Sequence, residues 1–316
     1  MNPSPVQKIV SLLPSATEII CSLGLEEKLV GVTHECDYPP GVEMKPHLTA
    51  SKIIHSSMNS REIDHAVRKS LDGHGSIYDL DEMKLSQLDP DLIVTQELCD
   101  VCAVSYETVR QAARRYAADA TVVSLEPNTI GDIFENIIEV GELAGVKERA
   151  EQEVAGLRQR LDALREKTAG VKERPRVMML EWLDPPFAPG HWVPEQVEAA
   201  GGECVLGRAG EKSVTTTFQE VADSKAEIMV LIPCGYDTRG IFEQLERTSF
   251  PSELKSLPAI ANGNVWALDA SAYFSRPGPR VIGGAEIIAK IFHPRVFGEP
   301  TETEAVRIDP GKIRCV

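Results

Sequence analysis

One apolar stripe in the middle of the chain limits its fold more than any other feature. Leu143, Val146, Ala150, Val154, Leu157, Leu161 and Leu164 recur at spacings of 3 and 4 through sequence rich in Glu and Arg. That period puts every apolar residue on one face of a single amphipathic helix. About 25 residues at 1.5 Å each span roughly 38 Å, enough to run from one lobe into another.

On both sides of this helix, apolar runs of strand length alternate with helical patterns, which predicts α/β architecture. Before it, strands are expected at Lys8–Leu13, Leu29–Thr33, Asp91–Thr95 and Thr121–Leu125. Helices are expected at Ser15–Leu23, with Ser15 as N-cap, and at Tyr106–Ala117. After it come strands at Arg176–Leu183, Ile228–Ile232 and Val265–Asp269, with helices at Val193–Ala200 and Pro279–Phe292. A faint internal echo relates the halves: Leu88-Asp89-Pro90-Asp91-Leu92-Ile93-Val94 matches Ser224-Lys225-Ala226-Glu227-Ile228-Met229-Val230. The expectation is two Rossmann-like lobes joined by one long interlobe helix, with a ligand cleft between them. The N-terminal lobe covers 1–140 with a polar insertion at about 51–78, the linking helix 141–170, the C-terminal lobe 171–297, and an extended tail 298–316.

Charge narrows the partners. With 33 basic against 48 acidic residues the net charge is −15, which repels phosphate backbones and anionic lipids, so no nucleic-acid partner is expected. No apolar run reaches the ~18–20 residues of a membrane span. Seven cysteines are too few for a disulfide scaffold, and an odd number leaves at least one thiol unpaired within the chain. The first residues lack the basic and unbroken apolar regions of an export signal. A cytoplasmic protein with reduced thiols is therefore expected.

Ligands of α/β sheets bind beyond the carboxyl ends of the strands, so the strand-exit loops carry the information. Aromatics are few, with 3 Trp, 6 Tyr and 8 Phe, yet Tyr38, Trp182, Phe187, Trp192, Tyr236, Tyr273 and Phe274 all fall in such loops. Their gathering there points to a large, flat, partly apolar ligand. His34 and His191 share these loops and are candidate axial ligands to a metal centre. His47, His55, His65 and His74 read as solvated surface. Cys99-x-x-Cys102 lies between a strand and a helix, the setting of a redox or metal dithiol, although two small loop residues would look the same. With Cys36 and Cys234 it makes a candidate site for zinc or another soft metal. No nucleophile elbow, dinucleotide fingerprint or phosphate loop is present, so no reaction can be named.

Several segments resemble the cobalamin- and siderophore-type substrate-binding proteins of transporters, the class with a helical backbone between lobes. They are Ile9-Val10-Ser11-Leu12-Leu13-Pro14-Ser15-Ala16-Thr17-Glu18, Val30–Thr33 leading to Asp37-Tyr38-Pro39-Pro40, and Leu88–Val94. Glu181-Trp182-Leu183-Asp184-Pro185-Pro186-Phe187 and Ala270–Arg280 are similar to the second-lobe loops that touch the corrinoid in cobalamin binders. The resemblance covers about residues 8–293. It implies a small-molecule metal chelate, cobalamin or another corrinoid, held by Ser15, His34, Tyr38, Trp182, Phe187, His191, Trp192, Tyr236, Tyr273 and Phe274. The alternative is a cytosolic metal-binding or thiol-redox protein using Cys36, Cys99, Cys102 and Cys234. The family docks on transporter subunits through one acidic residue per lobe. Here those positions fall at Gln219, beside Glu220, and near Glu82 and Met83, so a transporter partner is not expected.

Overall fold

Among the described residues of the first half of the chain, the strands are β1 (Ile9–Ser11), β2 (Leu29–Gly31), β3 (Thr49–Ser51), β4 (Tyr78–Leu80), β5 (Leu92–Thr95) and β6 (Thr121–Ser124). In the computed structural model, which describes residues 5–53, 57–74, 77–96 and 106–316, β2, β1, β5 and β6 form one parallel sheet in that order. β1 and β5 are buried along their whole length, as expected of inner parallel strands covered on both faces. β3 and β4 pair as a separate antiparallel ribbon. The core beneath joins Val10, Leu12 and Ile93 to Leu48, Leu85 and Val109.

The second half repeats the plan. Its strands are β7 (Arg176–Leu180), β8 (Trp182–Leu183), β9 (Pro186–Ala188), β10 (Glu203–Cys204), β11 (Val214–Thr215), β12 (Ile228–Leu231), β13 (Val265–Ala267) and β14 (Val306–Arg307). The main sheet runs β10-β7-β12-β13-β14, parallel except for β14, and β11-β9-β8 form a small antiparallel sheet. Numbered from their own first strands, both main sheets begin in the order 2-1-3-4.

The sequence echo has a backbone cause. Asp89 and Lys225 both take left-handed φ, at 48° and 55°, turning the chain from a helix into the third strand of its sheet. Two residues later an acid grips the start of the first strand. Asp91 Oδ2 accepts from Gln7 N and Lys8 N at 2.8 and 2.9 Å, and Glu227 Oε2 accepts from Arg176 N at 2.9 Å. The same acids donate their own N–H groups to Lys8 O and Arg176 O.

By packing, the chain divides into one unit of residues 1–56, 65–127 and 131–156 and another of 57–64, 128–130 and 157–316. The helix Lys147–Ala169 begins in the first and ends in the second. It starts later than the leucine pattern predicts. Leu143 closes the preceding helix, Ile130–Leu143, and Gly145 at φ 76° turns the chain between the two. The buried stripe accordingly begins at Ala150 and continues through Val154, Leu157, Leu161 and Leu164, while Leu143 is exposed. The C-terminal tail, expected as an extended segment, is anchored to the second unit. Val306 and Arg307 pair with β13, Cys315 bridges to Phe250, and Ile308 and Ile313 enter the second core. Only isolated residues anchor it, so no periodicity shows in its sequence.

Candidate functional site

Strand order reverses between β1 and β5 in one sheet and between β7 and β12 in the other. Connections leave such neighbours in opposite directions, opening a crevice at their carboxyl ends. In the second unit that crevice is flanked by Glu181-Trp182 and by Pro233-Cys234-Gly235-Tyr236. Cys234 N donates to Glu181 O at 3.1 Å, fastening the two exits together, and Ala270 N donates to Tyr236 O at 3.0 Å, adding the loop after β13.

The small sheet turns this crevice into an aromatic surface. Trp182 stands directly opposite Phe187, and Phe187 opposite Thr215. Directly opposed residues share a face, so both rings lie on one side while Leu183, Pro186 and Ala188 face the core and are buried. Trp182 and Phe187 are half-buried. The Trp182 ring meets that of Tyr236, 5.9 Å away at 52°.

Trp192 and Phe274, expected beside them as ligand wall, are core instead, at 5% and 2% exposure. Trp192 Nε1 donates to Phe274 O at 2.9 Å. Gln196, fully buried, donates from Nε2 to Tyr273 O and Val281 O at 3.0 and 2.7 Å. These bonds fix the loop after β13 from below and leave Tyr273, Arg276 and Arg280 half-buried at its edge.

His191 has φ 50°, unusual for a residue with a Cβ. The strain is held by a backbone crossing: His191 N donates to Glu211 O at 2.6 Å and Gly210 N to His191 O at 3.0 Å. A Cβ on Gly190 would lie 2.3 Å from Ser213 N, so only glycine fits there. His191 Nε2 is buried with no hydrogen-bond partner among the described residues. Burial, reinforced by Lys212, lowers its pKa. The unfolded chain therefore binds a proton that the folded one refuses. The stabilising difference is present above the ordinary histidine pKa and fades as pH falls through it towards the lowered folded value. Substitution His191→Gln should flatten the fall in melting temperature between pH 7 and pH 5; an unchanged slope would assign the acid sensitivity elsewhere.

In the first unit, Ser15 is buried in the first turn of the helix Pro14–Ser22. It is not the N-cap, because Pro14 already opens the helix, as its fixed φ favours. The polar contacts there belong to neighbours: Thr17 Oγ1 donates to Ser11 Oγ at 2.9 Å and sits 3.1 Å from Cys36 Sγ. Cys36 is 3% exposed, a packed thiol engaged by a hydroxyl. His34 is better placed for a ligand. Its Nδ1 lies 2.7 Å from Thr49 Oγ1, which orients the ring, and Tyr78 packs 5.5 Å from it. Glu35 accepts from Tyr78 Oη at 3.2 Å and lies 3.8 Å from His34 Nε2. Burial lowers the His34 pKa, Glu35 opposes the shift and His47 adds to it. A neutral imidazole with one nitrogen oriented is the form a metal centre would bind. Tyr38 is exposed. Thr49 and Tyr78 escaped sequence reasoning because β3 and β4 are three-residue strands at the two edges of the stretch that reads as a polar insertion; Glu35 lies beside His34 in the loop after β2.

Cys99 and Cys102 lie outside the described residues. Among the described residues no group of three or more His, Cys, Asp and Glu side chains is arranged to hold a metal ion, and no helix is long and apolar enough to cross a membrane. Burial pushes the Cys21 thiol up to about 11 and the Cys204 thiol up to about 12. Cys234 is exposed. Iodoacetamide at pH 8 should thus label Cys234 well before Cys21 or Cys204, as read by peptide mass spectrometry; the reverse order would contradict this burial. Glu220, beside the docking position Gln219 that the resemblance implies, is engaged within its own helix. Its Oε2 accepts from Thr216 Oγ1, Thr217 N and Thr217 Oγ1, closing a capping box on the helix Phe218–Asp223.

The sequence profile of the periplasmic binding protein family matches residues 9–272. A vitamin B12-binding protein of Vibrio cholerae is 24% identical over 289 residues, covering 90% of this chain and 88% of its own. An uncharacterized ABC transporter substrate-binding lipoprotein of Bacillus subtilis is 25% identical over 301 residues, covering 93% and 82%. Among solved structures, the periplasmic vitamin B12-binding protein of Vibrio cholerae superposes with TM-score 0.66 at 22% identity, covering 92% of this chain and 98% of its own. A periplasmic heme-binding protein of Pseudomonas aeruginosa superposes with TM-score 0.72 at 18% identity, covering 96% and 100%.

Proposed function

Because the chain belongs to the periplasmic binding protein family, we propose that it binds a flat metal chelate of the tetrapyrrole type, and a corrinoid in particular. The observation that carries this reading is the aromatic surface of Trp182, Phe187 and Tyr236 at the strand-order reversal of the second sheet. Such a surface gives broad apolar contact to a planar macrocycle and little to a free ion. Relatives named for vitamin B12 and for heme support the same class, since both ligands are large metal-centred rings.

Titration of the purified protein with aquacobalamin, cyanocobalamin and hemin tests the reading, followed by the absorption bands of each chelate and by co-elution. Saturable shifts with the cobalamins at micromolar protein are expected. Shifts with hemin alone would keep the ligand class and replace the corrinoid; no shift or co-elution with any of the three would overturn the proposal.

A further inference from the structure

The start of the helix Ser60–His74 belongs by packing to a different unit from the rest of that helix: residues 57–64 group with the second unit, residues 65 onward with the first. Four contacts fasten this short segment. Arg61 makes a two-pronged pair with Asp184, Nε to Oδ2 at 3.0 Å and Nη2 to Oδ1 at 3.1 Å. Gln244 accepts from Ser60 Oγ at 3.2 Å and donates to Met58 O at 3.1 Å. Trp182 Nε1 donates to Ser60 O at 3.0 Å.

Two of these residues have no simpler explanation. Gln244 is 3% exposed on a helix whose other buried residues include Ile241 and Leu245. An apolar side chain would fill that position at lower cost, because a buried amide must find partners, and both its polar atoms find them on this segment. Asp184 is nearly buried at the turn between β8 and β9, the two strands that carry Trp182 and Phe187. The segment also arrives pre-shaped: Asn59 Oδ1 accepts from Glu62 N and Asn59 N donates to Glu62 Oε2, a reciprocal cap on the helix start.

We infer that Met58–Arg61 is a clamp that fixes the indole of Trp182 for ligand, held down by Gln244 and Asp184 as positioning residues. The inference rests on the ligand reading above and adds residues to it. With its N–H tied to a backbone carbonyl and its ring tilted against Tyr236, Trp182 offers a face whose orientation is set before ligand arrives, which removes an ordering cost from binding.

The test is the Arg61→Ala, Gln244→Leu pair in the full chain, read three ways. Deuterium uptake of the 57–64 peptide should quicken by about tenfold in ligand-free protein, the effect of losing one or two hydrogen bonds. Cobalamin affinity should fall by about tenfold, and this fall should vanish in a Trp182→Ala background, because the clamp acts only through that ring. The emission assigned to Trp182 by difference from Trp182→Phe should shift to the red. Unchanged uptake, or faster uptake with unchanged affinity, or a fall that persists without Trp182, would each overturn the clamp. Arg61→Ala alone, at a largely exposed side chain, gives the same readouts should the pair fold poorly. If the unmodified protein binds neither cobalamin nor hemin, the ligand reading fails by itself, and uptake with Trp182 emission then decides whether the clamp exists.

Discussion

Substitution Trp192→Ala is expected to destabilise the second unit by about 3–5 kcal/mol, the range for removing a large buried aromatic, and to act on folding before it acts on binding. The ring is 5% exposed and its N–H is committed to Phe274 O. Truncation leaves a cavity beneath the loop after β13 and strips that carbonyl of its donor. Gln196, which holds the same loop through Tyr273 O and Val281 O, would then be the remaining side chain of the helix Val193–Ala199 and its cap to hold it. Domains hold only about 5–15 kcal/mol in total, so the urea midpoint of the affected transition should fall steeply. Trp192→Phe, which keeps most of the volume and loses the hydrogen bond, should recover more than half of the loss. An unchanged midpoint with weakened ligand binding would return Trp192 to the ligand wall, where its loop position alone had put it.

That misplacement shows where sequence legibility ends. The two α/β halves were readable because inner parallel strands are apolar throughout: Ile9-Val10, Leu92-Ile93-Val94 and Ile228-Met229-Val230-Leu231 declare themselves without context. The repeated turn was readable for a different reason. A left-handed residue followed two positions later by an acid is a local device, and Asp89 with Asp91 and Lys225 with Glu227 carry it in near-identical frames. Loop aromatics are another matter. Trp182, Trp192 and Phe274 look alike in sequence, and only the paths of the chain around them decide which is covered. The partners of His34 come from β3 and β4, 15 and 44 residues away, and the clamp on Trp182 comes from residues more than 120 positions away. Nothing in local periodicity encodes such pairings. The anchoring of the tail was illegible for a related reason, since Ile308 and Ile313 are single anchors with no repeat to betray them.

Removal of the Trp182 ring should have the opposite profile to removal of Trp192: a large loss of affinity with little loss of stability. The ring is only half-buried, so water can reach what Trp182→Ala uncovers. Covering one face, about 100 Å² of apolar surface, under a flat ligand is worth about 2.5 kcal/mol at 25 cal/mol per Å². The Kd for the chelate should therefore rise by roughly 50- to 100-fold, since each 1.4 kcal/mol is a factor of ten. Trp182→Phe should lose much less, as most of the flat area survives. Cys234→Ser should leave affinity nearly unchanged, because its thiol adds little apolar area beside the Trp182 and Tyr236 rings. Calorimetric titration of the three variants orders the contributions directly. If Cys234→Ser abolished binding while Trp182→Ala did not alter it, the thiol would be holding the metal centre and the aromatic surface would have no part in recognition. The expected order follows from what each group can offer a planar macrocycle: an indole face supplies area, whereas a single thiol supplies one bond.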